Sequence, residues 1–245
     1  KRICRKLNRH CQNDQILVGG AKNAMETFSD FLERIHAFEY PSFHLEHDVF
    51  QPPLTLTDKV RPDGSYRRFT GDTILYWLDQ QTQKTLSIWQ DSLYACAGAL
   101  LSDKLNNAQM HVTLHDLSLG QPEKLCHYAK KQLSELKQEP ISMRMTVVFP
   151  LAATSLAIAL EPINEKEYQK WITRYEKTEQ IVRLPYLSTP HITLAYFRPK
   201  MYTKQEISLL QDWLDEYGYV DRALTLEPEY CQYISFYSMN DYKGS

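Results

Sequence analysis

Apolar residues recur along this chain with two kinds of spacing, one typical of strands and one typical of helices. Short, nearly continuous or alternating apolar runs predict β-strands, and runs with apolar positions three and four residues apart predict amphipathic helices. The predicted strands cover about residues 72–78, 110–117, 141–149, 154–161, 189–197, 223–227 and 231–239. The predicted helices cover about residues 24–38, 85–101, 122–136, 164–175 and 203–217. From residue 72 onward, strands and helices therefore intermingle within one chain.

Residues at the predicted helix ends support these boundaries. Asn164 with Glu167 three residues later, and Thr203 with Glu206, both match the pattern of a helix start. Gly218 follows the last apolar position of the final helix, where glycine commonly ends helices. Residues 41–70 are instead rich in proline and contain an Asp-Gly pair, which indicates loops, turns and short edge strands.

Two predicted strands carry the same pair of polar residues. His111 and Thr113 lie in the sequence HVTL, and His191 and Thr193 lie in HITL, 80 residues later. Each pair is followed by a predicted helix and then by a strand about 30 residues after the histidine. Of the eight histidines, only these two have Ser or Thr at the second position after them. The chain thus reads as a repeated β-α-β-α-β unit with one motif in each half.

The repeated motif suits phosphate ester chemistry. Side chains two residues apart share one face of a strand, about 6–7 Å apart, so each motif presents an imidazole and a hydroxyl together. If the halves face each other, one neutral histidine is a general base and one protonated histidine a general acid. The threonine hydroxyls are donors for phosphate oxygens, and this chemistry requires no metal. A single histidine in a strand is more commonly structural, so the hypothesis depends on the matched pair.

The paired motif resembles the two His-x-Thr signatures of the 2H phosphoesterase superfamily, which includes LigT-like 2′-5′ RNA ligases and 2′,3′-cyclic nucleotide phosphodiesterases. The resemblance implies a bilobal, pseudo-symmetric α+β fold with two mainly antiparallel sheets, flanked by helices, around a central cleft. It implies metal-independent cleavage of 2′,3′-cyclic phosphate or 2′-5′ phosphodiester links. His111 and His191 would be the acid–base pair, and Thr113 and Thr193 the phosphate donors. It does not indicate which histidine is the base.

The domain prediction follows from the repeat and the resemblance. Residues 71–245 form the phosphoesterase-like domain, with one lobe at about 71–150 and the other at about 151–245, and strands could be exchanged between them. Residues 1–70 form an extension packed on or beside the cleft. A nucleotide- or RNA-end-binding module with little turnover is the alternative function. A structural protein with a relict cleft, bound to a partner through the extension, is a third.

Four further residues are candidate substrate contacts. In a regular strand His115 shares the face of His111 and Thr113, and its equivalent in the second half is Ala195. Arg198 at the end of the second motif strand and Arg144 in an apolar strand are candidate phosphate ligands. Tyr196 is a candidate for stacking on a base. Each has a plainer alternative, which is an internal hydrogen bond, a solvated charge or core packing.

Composition limits the classes of partner and the cellular compartment that we expect for this chain. A net charge of −2 and a pI near 6.5 argue against coating long duplex DNA, but allow a nucleotide or an RNA end as substrate. The five cysteines are odd in number and widely spaced, which disfavours a disulfide framework and favours a reducing compartment. Cys4, His10 and Cys11 have no second Cys/His pair nearby in the sequence, which weakens a metal site there. No apolar run approaches the roughly 20 residues that span a bilayer. We therefore expect a cytoplasmic monomer with no cofactor, no metal and no membrane partner.

Overall fold

A computed structural model describes residues 26–37, 43, 49–119, 129–131, 133–134 and 139–244 of the chain. Its helices include α1 (Phe28–His36), α2 (Gln80–Ala97), α3 (Glu165–Glu179) and α4 (Lys204–Tyr217), and the described residues 129–131 and 133–134, within the helix predicted over about 122–136, are also helical. Its strands are β1 (Val49–Phe50), β2 (Gly71–Trp77), β3 (His111–Leu119), β4 (Ile141–Leu151), β5 (Ser155–Pro162), β6 (His191–Tyr196), β7 (Tyr202–Thr203), β8 (Tyr219–Leu226), β9 (Cys231–Ser238) and β10 (Asp241–Gly244). The start of the helix predicted from Pro122, and Cys4, His10 and Cys11, lie outside the described residues.

The strands form two four-stranded antiparallel sheets. The first sheet has the order β10-β9-β2-β3 and the second has the order β6-β5-β4-β8, while β1 and β7 pair separately. The predicted α+β architecture with two antiparallel sheets is confirmed. Strands are exchanged across the repeat boundary, because β4 joins the second sheet whereas β9 and β10 return to the first. Both ends of the repeated region thus meet in one sheet.

Helix boundaries agree with the local signals. The Asn164 side chain accepts from the Glu167 backbone N–H at 3.0 Å, and Thr203 and Glu206 form a capping box. Gly218 ends α4 as predicted, but with φ −68° and therefore not in the left-handed conformation. A Cβ atom at this position would lie 2.3 Å from the Leu214 carbonyl oxygen. Glycine is required here by that close approach of backbone atoms.

Two of the differences from the sequence prediction concern the start of α2 and the edge of the first sheet. Helix α2 begins five residues earlier than its apolar pattern, at Gln80, because the Asp79 side chain caps it by accepting from the Thr82 N–H at 2.9 Å. Strand β10 was not predicted from the sequence. It pairs with β9 and extends the first sheet at its edge.

Helix α1 packs on the second sheet. Its buried residues Phe31 and Ile35 belong to a small hydrophobic cluster with Tyr168 of α3 and with side chains of β4 and β5, including Ala157 and Ala159. Burying each of these two large side chains stabilises the helix against the sheet by about 1.5–3 kcal/mol. Residues of the N-terminal extension are thereby fixed to the sheet that carries the second motif. None of the described helices is long and apolar enough to cross a membrane.

Candidate active site

The two motif strands lie at neighbouring edges of the two sheets. β3 is the edge of the first sheet, β6 is the edge of the second, and the two strands are in contact. Along each strand the motif residues are half-buried, whereas the intervening Val112, Leu114, Ile192 and Leu194 are buried in the main core. We call the surface formed by the half-buried faces of β3 and β6 the groove. It brings His111 and Thr113 together with His191 and Thr193.

Both histidines have the same orientation toward their own backbone. Nδ1 of His111 lies 2.8 Å from the Gln109 carbonyl oxygen, and Nδ1 of His191 lies 2.7 Å from the Thr189 carbonyl oxygen. A carbonyl oxygen only accepts, so Nδ1 must donate in both contacts. In the neutral ring this leaves Nε2 with a free lone pair. The repeat therefore provides two imidazoles in the same tautomer.

Burial sets the charge of this pair. The pKa of His111 is lowered to about 4, chiefly by burial and to a smaller extent by the nearby His191, while the hydrogen bond to Gln109 acts in the opposite direction. Burial also lowers the pKa of His191, with the hydrogen bond to Thr189 again opposing the change. Both rings are consequently neutral near pH 7 in the ligand-free protein. A bound anion would favour protonation of one of them.

A β-bulge follows the motif in each strand. In the pairing of β3 with β2, Thr113 opposes Leu75 and His115 opposes Ile74, so Leu114 is the extra residue. In β6, Thr193 and Ala195 oppose consecutive residues of β5 in the same way, so Leu194 is the extra residue. An extra residue reverses which side chains face the groove. The two halves of the repeat thus share an irregularity that an alternating pattern does not predict.

The bulge moves His115 away from the groove, so the prediction that it shares the face of His111 is wrong. His115 is 1% exposed, and its ring centroid lies 5.2 Å from that of Tyr175 in α3. Its Nδ1 contacts the Asp116 carbonyl oxygen at 2.7 Å. Burial lowers the pKa of this ring, as expected for a neutral histidine in the core. We therefore leave His115 out of the proposed site.

Asp116 takes the place that the sequence assigned to His115. It is exposed, it accepts a hydrogen bond from the Tyr186 hydroxyl at 3.0 Å, and its charge raises the pKa of both His111 and His191. Its equivalent in the second half is Tyr196, five residues after the histidine in each case. Tyr196 was a sequence candidate, so the repeat itself contained a signal for Asp116. A regular alternation along β3 would place Asp116 on the opposite face, so only the bulge brings it to the groove.

The groove also has aromatic and cationic neighbours. Trp77 of β2 and Tyr242 of β10 lie beside His111, with ring centroids 5.7 and 4.6 Å from its own. Lys59 has its ammonium 6.0 Å from the Tyr196 ring, and burial lowers its pKa while Asp116 acts in the opposite direction. Burial raises the pKa of Tyr196, whose hydroxyl donates to the Met239 sulfur at 3.2 Å. These aromatic rings and the Lys59 ammonium suit a small anion with a base attached.

The two candidate arginines bind protein groups. Arg198 donates from Nε to the Leu101 carbonyl oxygen at 2.7 Å and lies against Gly64. Arg144 donates from Nε to the Glu161 carboxylate at 2.7 Å and lies 3.8 Å from the Asp221 carboxylate. The sequence indicates that Arg144, in an apolar strand, needs a partner but not which one, and it offers a solvated charge as the alternative for Arg198. The structure does not bring either guanidinium to the histidines, and we include neither in the proposed site.

Solved structures of low sequence identity resemble this chain. The chain is similar to a conserved protein of unknown function from Agrobacterium tumefaciens, with a TM-score of 0.62 and 16% identity, over 80% of this chain and 92% of that chain. The two proteins share a fold. The two-sheet architecture around the His-x-Thr strands is also the one that the 2H phosphoesterase resemblance implied. No protein-family model matches the chain, and no curated protein matches it.

More distant similarities include named phosphoesterases. A structure described as a phosphoesterase matches with a TM-score of 0.46 and 10% identity, over 72% of this chain and 94% of that chain. E. coli LigT in complex with 3′-AMP matches with a TM-score of 0.42 and 12% identity, over 54% of this chain and 75% of that chain.

Proposed function

We propose that this protein is a phosphodiesterase acting on 2′,3′-cyclic phosphate or 2′-5′ phosphodiester links of nucleotides or RNA ends. One observation carries the proposal. Two His-x-Thr strands lie in contact, and both histidines donate from Nδ1 to a carbonyl two residues earlier, at 2.8 and 2.7 Å. Two equivalent imidazoles, each with a free Nε2, are what paired acid–base catalysis requires.

The reaction would proceed as an in-line displacement at phosphorus. Nε2 of the neutral histidine removes a proton from water as the water oxygen bonds to phosphorus. The phosphorus–oxygen bond to the ribose then breaks, and the protonated histidine donates its proton to the leaving oxygen. One water is consumed, and the pair of histidines exchanges its protonation state. His111 and His191 make equivalent hydrogen bonds through Nδ1, so either ring is suited to either role.

The threonines and the aromatic side chains would bind the substrate. Thr113 and Thr193 share the groove with the histidines, and their hydroxyls are suited to donate to non-bridging phosphate oxygens, where negative charge accumulates. Trp77 and Tyr242 offer ring faces and edges beside His111 for a base. No step requires a metal or another cofactor, and the catalytic unit is proposed to be the monomer.

A binding module is the second candidate, and one observation favours it. Burial lowers the pKa of both His111 and His191, so the ligand-free groove lacks the protonated acid near pH 7. Without an anion that restores one proton, the same donors would bind a nucleotide or an RNA end and leave it intact. Turnover therefore distinguishes the two functions.

The test is a panel of 2′,3′-cyclic nucleotides and 2′-5′-linked oligonucleotides, assayed with a chelator and followed by end-group analysis. We expect turnover by the wild type and losses of about 10²–10⁴-fold in His111→Asn and His191→Asn. His36→Asn is the matched histidine control, because the His36 ring lies on α1 and contacts the Glu161 carboxylate of β5. Undiminished rates in either motif variant would refute the mechanism. Calorimetric binding without turnover across the panel would establish the binding module instead.

A further inference from the structure

We propose that Arg34 of α1 is a positioning residue for His191, so that the N-terminal helix contributes to the geometry of the active site. The effect of Arg34 on catalysis rests on the proposed function, whereas its effect on the orientation of the His191 ring does not. Arg34 donates from Nη1 to the Thr189 hydroxyl at 2.9 Å and from Nη2 to the Ser188 carbonyl oxygen at 2.8 Å. These contacts join two segments more than 150 residues apart.

Thr189 is the residue whose carbonyl orients His191. That oxygen accepts from His191 Nδ1 at 2.7 Å, so the position of the Thr189 peptide sets both the direction and the tautomer of the ring. Arg34 holds the same short segment through the Thr189 side chain and the preceding carbonyl. A continuous chain of hydrogen bonds therefore runs from α1 to the imidazole in the groove.

The first half of the repeat has a corresponding device. His111 is oriented by the Gln109 carbonyl, and the Gln109 side chain accepts from the backbone N–H of Tyr242 in β10 at 3.3 Å. In both halves, the residue two positions before the histidine is thus held by an element that is distant in the chain. α1 supplies the contact in one half and β10 supplies it in the other. This parallel is independent support for a positioning role.

Arg34 is itself well fixed. Nε and Nη2 donate to the two carboxylate oxygens of Glu26, each at 2.8 Å, and the Tyr168 hydroxyl donates to the Glu26 carbonyl at 2.5 Å. Phe31 and Ile35 anchor the helix in its apolar cluster. Only the planar guanidinium fork can satisfy the carboxylate and the Ser188–Thr189 segment at once, whereas a lysine ammonium is a single point.

The Arg34 side chain also lies on the same side of the second sheet as His191. Ala157 and Ala159, which pack beneath α1, are the strand partners of Thr193 and His191 in the pairing of β5 with β6. Directly paired residues share one face of a sheet. α1 therefore covers the same face that presents the second motif, and its contact with Thr189 is made beside the groove.

The primary experiment observes the ring without requiring activity. Imidazole nitrogen NMR of the full chain reports the tautomer of each histidine. We expect His191 in the wild type to be protonated at Nδ1. In Arg34→Met it should populate both tautomers, with His111 unchanged. Arg34→Lys should be intermediate. Arg183→Met removes an exposed cation of the same half and should match the wild type.

Thr189→Val tests the same contact from the other side, in case Arg34→Met is poorly folded. This variant keeps the carbonyl that His191 uses but removes the hydroxyl that Arg34 uses. It should shift the His191 signals in the same direction, and adding Arg34→Met should produce less than the sum of the two effects. An unchanged His191 tautomer in folded Arg34→Met or Thr189→Val overturns the proposal. So does equal disturbance of His111, which would indicate general loosening.

Kinetics then connect positioning to function. We expect kcat for the cleaved substrate to fall by up to about 100-fold in Arg34→Met, with KM little changed, because misplacing a catalytic group affects the reacting geometry. A rise in KM alone would overturn the positioning role. If the wild type turns over no phosphodiester, the proposed function fails, whereas the NMR result still decides whether Arg34 orients His191.

Discussion

Replacing His111 with asparagine should make the protein less sensitive to acid. Burial lowers the pKa of His111 to about 4 from an ordinary value of 6.5. Between these values the unfolded chain binds a proton that the folded protein does not, so lowering the pH favours unfolding. The asparagine side chain does not titrate, and its amide can still donate to the Gln109 carbonyl.

The magnitude follows from the two pKa values. Each pKa unit corresponds to about 1.4 kcal/mol, so the full difference between 6.5 and about 4 is worth about 3 kcal/mol. The contribution of the neutral His111 ring to the free energy of unfolding is fully present above pH 6.5. It is lost progressively as the pH falls toward 4. On moving from pH 7.5 to pH 5, the expected loss attributable to His111 is about 2 kcal/mol.

The assay is urea unfolding of wild type and His111→Asn at both pH values. The difference in unfolding free energy between the two proteins should change by about 2 kcal/mol in favour of the variant at pH 5. Thr113→Val is the matched control from the same strand face, and its difference from wild type should stay constant. If the wild-type and His111→Asn curves run parallel from pH 7.5 to pH 5, the inferred burial and neutrality of His111 are incorrect.

Three further predictions concern the charge of the groove and the end of α4. The kcat/KM profile should be bell-shaped with its maximum below pH 6.5, because burial lowers the pKa of His111 and His191; a maximum above pH 7 would contradict this. Asp116→Asn removes a charge that raises both pKa values, so the alkaline limb should move to lower pH, and an unmoved limb would exclude its influence. Gly218→Ala should destabilise the fold by more than about 1 kcal/mol in denaturant titration, since the new Cβ would meet the Leu214 carbonyl; a stabilised variant would argue against that close approach.

Local sequence signals predicted most of the elements because they act within a few residues. The capping residues Asn164 and Thr203 and the apolar spacing of the strands operate through neighbouring backbone groups, and the structure has helices and strands at those places. The matched His111 and His191 motifs also indicated a paired architecture, since equivalent positions in a repeat occupy equivalent places in a pseudo-symmetric fold. Two sheets with one motif strand at the edge of each confirm that architecture.

Tertiary structure decided which polar side chains share the groove. The bulges at Leu114 and Leu194 are properties of strand pairing, because an extra residue exists only relative to the partner strand. That pairing buried His115 and exposed Asp116. The partners of Arg144 and Arg198, the return of β9 and β10 to the first sheet, and the contact of Arg34 with Thr189 all join residues far apart in the chain. The sequence by itself thus determined the local elements and the repeated motif, whereas long-range packing determined the composition of the groove, because no local pattern encodes which distant segments meet.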